Sequence, residues 1–360
     1  MTTKPRTLVI LTPGFPSDET DTVCLPAQQL FVSALNRNFP DLRVIVISFE
    51  YPHRRDRYTW FGNTVIAIGG WKDGWGNKAK TIGAVWRALD QLRRENDVIG
   101  LLSFWIGGCA LVGKYYSNWH RLRHFTWILG QDARKGNKFI PLIRPRDGEL
   151  IAMSHFLAAE FNRNYGITPR HVIFNGVDPG CFSPLPAMRD IDVLGVGSLI
   201  PLKQYGVFID TIKRVSAVAP HIRSMICGKG PEEECLRKRI RQQGAEANVT
   251  LVGELPHLEA IGLMQRSKIL LHTSNYEGFS TVCLEALYAG AHVISFTDPL
   301  GFAVEHWHVV NNETDMAYKV QELLQDPAVT HERIAFHTVD ESARQVMALY
   351  GYGRSEAAMS

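Results

Sequence analysis

No uncharged stretch of this chain is long enough to cross a membrane. The longest is the 16 residues between Asp97 and Lys114, short of the roughly 20 that a span needs, and Ser103 with Gly107-Gly108 divides it into a strand, a turn and a helix. The amino terminus, Met1-Thr2-Thr3-Lys4-Pro5-Arg6, leads into only a short apolar run before Pro13, too brief for a secretory signal. Cysteine is sparse. Six residues (Cys24, Cys109, Cys181, Cys227, Cys235, Cys283) are scattered without a C-x-x-C, several in apolar runs as reduced buried thiols are, so a cytoplasmic protein is expected. Thirteen histidines yield no H-E-x-x-H, and His306 and His308 flank Trp307 without a nearby cysteine or carboxylate array, so no metal site is expected. Neither Gly195-Val196-Gly197-Ser198 nor Gly228-Lys229-Gly230-Pro231 completes G-x-G-x-x-G, which counts against a dinucleotide dehydrogenase. Low-complexity segments and short repeats are also missing.

What is present is length and an uneven charge. At 360 residues the chain exceeds the size at which one core keeps growing, and 45% hydrophobic residues suffice for two. The net charge of +3 conceals an asymmetry: residues 1 to 178 hold 23 Lys plus Arg against 15 Asp plus Glu, the remainder 16 against 21. A basic amino-terminal half suits an anionic acceptor or an anionic membrane surface; solvated surface charge explains it equally well.

Short apolar runs alternate with segments of helical period, the pattern of parallel sheets covered by helices. In the first half, strands are expected at 8–12, 44–49, 65–68, 98–103, 125–129, 151–154 and 172–174, with helices at 26–36, 80–94 and 155–165. Turn formers then concentrate in Asn175-Gly176-Val177-Asp178-Pro179 and Ser183-Pro184-Leu185-Pro186, which places a linker there. Strands follow at 193–197, 223–227, 249–252, 268–272 and 292–296. The helix after Gly230 should open on Pro231-Glu232-Glu233-Glu234 and carry its arginines toward the end, as the helix dipole favours. The expected architecture is α/β: two doubly wound domains, 1–180 and 181–335, facing across a cleft that is the default site, and a carboxy-terminal segment at 336–352.

The most informative stretch is Glu277-Gly278-Phe279-Ser280-Thr281-Val282-Cys283-Leu284-Glu285. It follows a strand ending near His272, so Glu277 should lie at the sheet's carboxyl edge, where open α/β sheets bind ligands, with Gly278, Phe279 and Ser280 opening a helix. Free N–H groups at a helix start can receive a phosphate while the two carboxylates accept hydroxyl hydrogen bonds, a combination that suits a sugar nucleotide. A bare pair of glutamates is more often solvated helix charge. Here the pair, with seven residues between, resembles the signature of glycosyltransferase family 4, retaining enzymes of the GT-B fold.

Other segments resemble that family in the order it requires. Val196-Gly197-Ser198-Leu199-Ile200-Pro201-Leu202-Lys203 is similar to the loop that opens the donor domain, where the resemblance implies a diphosphate contact from Lys203 and from the position of Ser198, usually an arginine. Cys227-Gly228-Lys229-Gly230 resembles the next glycine-rich turn, and Leu251-Val252-Gly253 the strand before the loop that meets the base, here 254–258. Thr12-Pro13-Gly14-Phe15 resembles the phosphate-facing loop of the first domain, with one glycine, Gly14, in place of two. Asn175-Gly176 resembles the linker entry, with an Asn-Gly turn as its cause. A helix at 341–350 resembles the one that crosses back onto the first domain. In Trp127-Ile128-Leu129-Gly130-Gln131-Asp132, Leu129 stands where the family has a histidine, leaving Asp132 and Gln131 to meet sugar hydroxyls.

The resemblance implies a cytoplasmic, retaining, metal-independent hexosyltransferase. Its donor would be a nucleotide-diphosphate sugar, with no other cofactor, and its acceptor a glycan, lipid or small molecule, as in polysaccharide biosynthesis. Glu277 would face the donor sugar, Glu285 the ribose, Lys203 the diphosphate, and Asp132 the reacting sugar. Gly14, Ser198, Gly228, Gly253, Gly278, Phe279 and Ser280 would complete the donor site. A sugar-nucleotide epimerase of the same fold and a catalytically silent binding protein remain open. Residues 52–61, Pro-His-Arg-Arg-Asp-Arg-Tyr-Thr-Trp-Phe, with Trp71 and Trp75 beyond, mix cations with aromatics as lipid-facing loops do, which suits peripheral contact at an inner membrane face; a loop packed on its own domain fits as well. No nucleic-acid partner is expected.

Overall fold

The computed structural model describes residues 4–70, 75–186 and 188–353. Two compact units result, one of residues 1–175 with 339–360 and one of 176–338. The boundary therefore falls at Asn175-Gly176 rather than at 180, and the second unit runs to 338 rather than 335. The Asn-Gly turn expected there is absent: the backbone passes through without a turn, and Val177 pairs with Thr338. The tight turn comes later, where Asp178 Oδ1 accepts the Gly180 N–H at 3.0 Å.

The first unit is built on eight strands: β1 (Arg6–Gly14), β2 (Arg43–Tyr51), β3 (Asp56–Trp60), β4 (Asn63–Ala67), β5 (Asp97–Phe104), β6 (Arg123–Ile128), β7 (Leu150–Ala152) and β8 (His171–Val172). They lie in the order β3-β4-β2-β1-β5-β6-β7-β8. All pair in parallel except β3, which runs antiparallel to β4. Helices α1 (Pro26–Asn38), α2 (Trp75–Glu95), α3 (Gly108–His120), α4 (Ile140–Ile143) and α5 (His155–Tyr165) connect them. Burial on both faces explains why the central strands read as unbroken apolar runs: Leu8 to Leu11 of β1 and Val44 to Ile47 of β2 are all buried.

The second unit has strands β9 (Ile191–Val196), β10 (Ser224–Cys227), β11 (Val249–Gly253), β12 (Ser267–His272), β13 (His292–Ser295) and β14 (Trp307–Val309), and helices α6 (Tyr205–Ser216), α7 (Glu233–Gln243), α8 (His257–Arg266), α9 (Thr281–Tyr288) and α10 (Glu313–Gln325). Its sheet, β11-β10-β9-β12-β13-β14, is parallel throughout. Val193, Ile226 and Ile269 of the sheet pack with Phe208 and Ile212 of α6 and Val320 of α10 in one core. Two helix starts differ from expectation. Helix α7 begins at Glu233, two residues past Pro231, and α9 begins at Thr281, so Gly278 and Phe279 belong to the preceding loop and Ser280 occupies the N-cap.

Helix α11 (Val339–Leu349) returns to the first unit and packs on α1. Asp340 Oδ1 accepts from Arg37 (2.9 Å) and Asn38 (2.7 Å), and the buried Tyr350 hydroxyl donates to the Leu101 carbonyl at 2.7 Å. Gly100 makes room for that ring, since a Cβ there would lie 2.4 Å from it.

The segment expected as a lipid-facing loop is largely the edge strand β3. Its residues alternate: Arg57 and Thr59 are exposed, while Trp60 is buried edge-on against Phe15 at 4.9 Å and the Tyr58 hydroxyl donates to the Pro16 carbonyl. Phe61 and Gly62, both at positive φ, form the two-residue reversal into β4. Only Phe61 of the three aromatics is exposed, and charge along the outer strand guards it against further pairing. Trp71 and the side chain of Trp75 lie outside the described residues. Among the described residues, no helix is long and apolar enough to span a membrane.

Candidate functional site

Chain order reverses direction between β9 and β12 in the second sheet, and the carboxyl ends of strands flanking such a switch point form a ligand crevice. Two loops meet there. One leaves β9 through Gly197 to the short 3-10 turn Pro201–Lys203; the other leaves β12 at His272 and runs through Glu277 to α9. They are stitched by the Thr273 hydroxyl donating to the Lys203 carbonyl at 2.6 Å and by the Asn275 N–H donating to the Leu202 carbonyl at 3.4 Å.

Across this seam Lys203 Nζ lies 2.9 Å from Glu277 Oε2, both side chains about four-fifths buried. His272 Nε2 approaches the same carboxylate oxygen at 3.4 Å, with the Ser280 and Ser274 hydroxyls at 3.3 and 3.4 Å. Burial would push the Glu277 carboxyl up, but the His272 contact and the Lys203 charge outweigh it and hold the group below its ordinary range. His272 moves the other way: burial, with Lys203 adding to it, keeps the imidazole neutral. Its Nδ1 is buried without a partner, so the tautomer protonated on Nε2, facing Glu277, fits its neighbours. The result is an ionised carboxylate and an ammonium held side by side at a strand edge.

Glu285, in the second turn of α9, is buried and bonds through Oε1 to His257 Nε2 at 2.7 Å. Burial opposes a charged His257, yet the Glu285 carboxylate and, beyond it, Asp178 raise its pKa above the ordinary value. No sequence signal linked His257 to Glu285, 28 residues on. His272 had a weak one, as the last residue of a strand five positions before Glu277. The first turn of α9 has no acidic residue and no side-chain cap; the Ser280 hydroxyl turns instead to His272 and to Cys283 Sγ, 3.0 Å away.

The glycines of the second motif have a packing cause. A Cβ on Gly228 would lie 1.9 Å from the Gly197 carbonyl oxygen, and one on Gly230 would lie 2.3 Å from that of Leu199. The strands' loops pass too close for any side chain, with or without a ligand. Gly228 N–H donates to the Gly253 carbonyl at 2.8 Å, and Ser198 is exposed on the loop beside them. Gly278 and Phe279 are buried between Glu277 and the helix start.

Gly14 and Asp132 belong to the first unit. Gly14, buried at the end of β1, accepts the Thr12 hydroxyl at its carbonyl (2.8 Å). Asp132 caps a 3-10 turn after β6, its Oδ2 accepting the Leu129 N–H at 2.9 Å, and burial pushes its carboxyl up to about 7. That carboxylate is largely committed to the backbone of the loop carrying it.

His306 and His308 sit near His292 and His331. The His292 ring stacks on His306 at 4.1 Å, and His292 Nδ1 lies 3.1 Å from His308 Nε2. Burial, reinforced by neighbouring positive charge, brings His308 and His331 down to about 4. Among the described residues, no group of three or more His, Cys, Asp or Glu is arranged to hold a metal.

Residues 182–337, nearly the whole second unit, match the family model of the glycosyl transferases group 1. A glycogen synthase of Mycobacterium tuberculosis is 27% identical over 227 residues, 59% of this chain and 54% of that protein. The gpi3 subunit of the phosphatidylinositol N-acetylglucosaminyltransferase of Schizosaccharomyces pombe is 28% identical over 164 residues, 44% of this chain and 36% of that protein. The chain thus spans about half the length of the glycogen synthase it matches. Among solved structures, the sucrose-phosphate synthase of Thermosynechococcus elongatus superposes over 96% of this chain and 95% of its own with a TM-score of 0.68 at 17% identity. Anabaena HepE, in complex with UDP and glucose, does so over 95% and 94%, with a TM-score of 0.67 at 18% identity. The chain therefore has the GT-B fold and carries a group 1 glycosyltransferase domain, into which the family 4 signature fits.

Proposed function

We propose that the protein transfers a hexose from a nucleoside-diphosphate sugar to an acceptor hydroxyl bound by the first unit, with retention at the anomeric carbon and without need of a metal. The observation that carries this reading is the Lys203–Glu277 pair, 2.9 Å apart at the switch point of the domain matched by the group 1 model. An ammonium has three donors, so Lys203 can keep Glu277 while meeting a diphosphate. Glu277, kept ionised, accepts from donor-sugar hydroxyls, and Glu285, held by His257, from the ribose.

In the reaction the bond from the sugar's anomeric carbon to the diphosphate oxygen breaks, and a bond from that carbon to the acceptor oxygen forms on the same face. The acceptor's proton passes to the departing diphosphate. Lys203 stabilises the charge growing on that group, and the protein's further contribution is alignment. HepE's complex with UDP and glucose makes UDP-glucose the first donor to try. Release of UDP that requires an acceptor and persists in EDTA is the expected result. Conversion of the donor without acceptor would make the protein an epimerase, and binding without turnover a silent relative.

A further inference from the structure

The first sheet has its own switch point, between β1 and β5, and a pocket of about 190 Å³ lies at the strand ends there. Its wall is aromatic: Phe49, Phe104, Trp105 and Phe139, with Pro13 and the Gly107-Gly108 start of α3. One charged group lines it, Glu50, near the end of β2. That carboxylate is half-buried and has no ion pair or hydrogen bond among the described residues. Trp105 is held at φ 64°, a left-handed backbone that is an outlier for a bulky side chain, and its ring is partly open to the pocket. Strain of this kind survives only where the surroundings impose it, and it clusters at ligand sites.

We infer that this pocket is the acceptor site and that it takes a neutral, hydroxyl-bearing ring such as a single pyranoside, with Trp105 and Phe139 against the ring face and Glu50 accepting from its hydroxyls. The inference rests on the transferase reading for the word acceptor. The pocket's chemistry stands apart from it. Aromatic faces suit the C–H side of a sugar ring, and a free carboxylate suits its hydroxyls. The volume lies below that of typical drug-sized sites, which suits one ring rather than a chain. The basic surplus of this half of the sequence does not reach the lining: no lysine or arginine is in it, so an anionic group meets only Glu50 and is repelled.

The test uses the whole chain and two probes in calorimetric titrations without nucleotide: 4-nitrophenyl β-D-glucopyranoside and glucose 6-phosphate. The neutral glycoside should bind saturably and the phosphate at least about tenfold more weakly. Glu50→Ala should weaken the glycoside by about tenfold, with part regained in Glu50→Gln. Trp105→Gly, which relieves the left-handed backbone while removing the ring, should abolish binding with little change in the thermal midpoint. Glu50→Lys should reverse the preference toward glucose 6-phosphate. Tighter binding of glucose 6-phosphate than of the neutral glycoside to the unmodified protein, or full affinity in Glu50→Ala and Trp105→Gly, overturns the inference. UDP titrations on the same variants keep the two readings separate. Absence of UDP binding counts against the donor site alone, whereas intact UDP binding with no glycoside binding counts against this pocket alone.

Discussion

The two sheets reverse direction at equivalent places, and opposite chemistry gathers there. In the second unit the loops after β9 and β12, with the last residue of β12, bring an ammonium and a neutral imidazole each within 3.4 Å of one carboxylate. In the first, the end of β2, the end of β5 with the loop after it, and Phe139 before α4 bring together aromatic rings and a carboxylate, Glu50, that has no ion pair or hydrogen bond among the described residues. A shared topology supplies a crevice at each edge; the side chains delivered to it decide whether it suits a charged diphosphate or an uncharged ring.

The largest effect expected is on the charged side. Glu277→Ala should lower turnover on the order of 100-fold or more while changing UDP affinity little, since the partner assigned to it is the sugar. Near-normal turnover would remove the contrast between the two edges, leaving Glu277 an ordinary ion-pair partner. Lys203→Ala sharpens the same point: UDP should bind about tenfold more weakly and uridine almost unchanged. Equal losses for both ligands would indicate a disturbed loop rather than a lost phosphate contact.

A third test compares how the units respond to acid. His308 and His331, at about 4, lie below the ordinary imidazole value of 6.5, so the folded second unit binds fewer protons than its unfolded chain between those pH values. Stability from this source is present above about pH 6.5 and is lost as pH falls toward 4. Asp132 runs the other way, because a carboxyl raised to about 7 favours folding at low pH and loses that contribution as pH rises through 7. Thermal midpoints should therefore show a shallower acid loss in His308→Gln and a smaller decline toward neutral pH in Asp132→Asn. Slopes identical to those of the unmodified protein would remove these groups from the account. The smallest effect is expected at the β3 edge, where Arg57→Ser should leave UDP affinity unchanged; sedimentation with anionic vesicles at low salt measures whether this edge has any second role.

Much of the arrangement was legible in the residues. Every central strand was visible as an apolar run because burial on both faces demands it, and Glu277, Glu285 and Lys203 were singled out through the resemblance to glycosyltransferase family 4. Strand β3 was not, because its hairpin turn is Phe61-Gly62 rather than Asn-Gly and its alternation mixes arginine with aromatics. The start of α9 was misread because Gly278, Phe279 and Ser280 have no local signal separating a loop from a first helical turn, and tertiary burial of Phe279 settles it. The glycines at 228 and 230 were visible as a motif, but their cause, the backbone of the loop at Gly197 and Leu199, was not.

By itself the sequence determined the two-part α/β organisation, the order of its strands along the chain and the residue types available at each strand's end. Those depend on local periodicity and on turn chemistry, which act over a few residues. Only the tertiary structure decided that Lys203 meets Glu277, that His257 meets Glu285, and that Glu50 lines a pocket with Phe49, Phe104, Trp105 and Phe139. Each of those relations joins residues far apart in the chain or depends on several strands at once, and the order in which strands pair is set by burial of whole faces and not by any local run of residues.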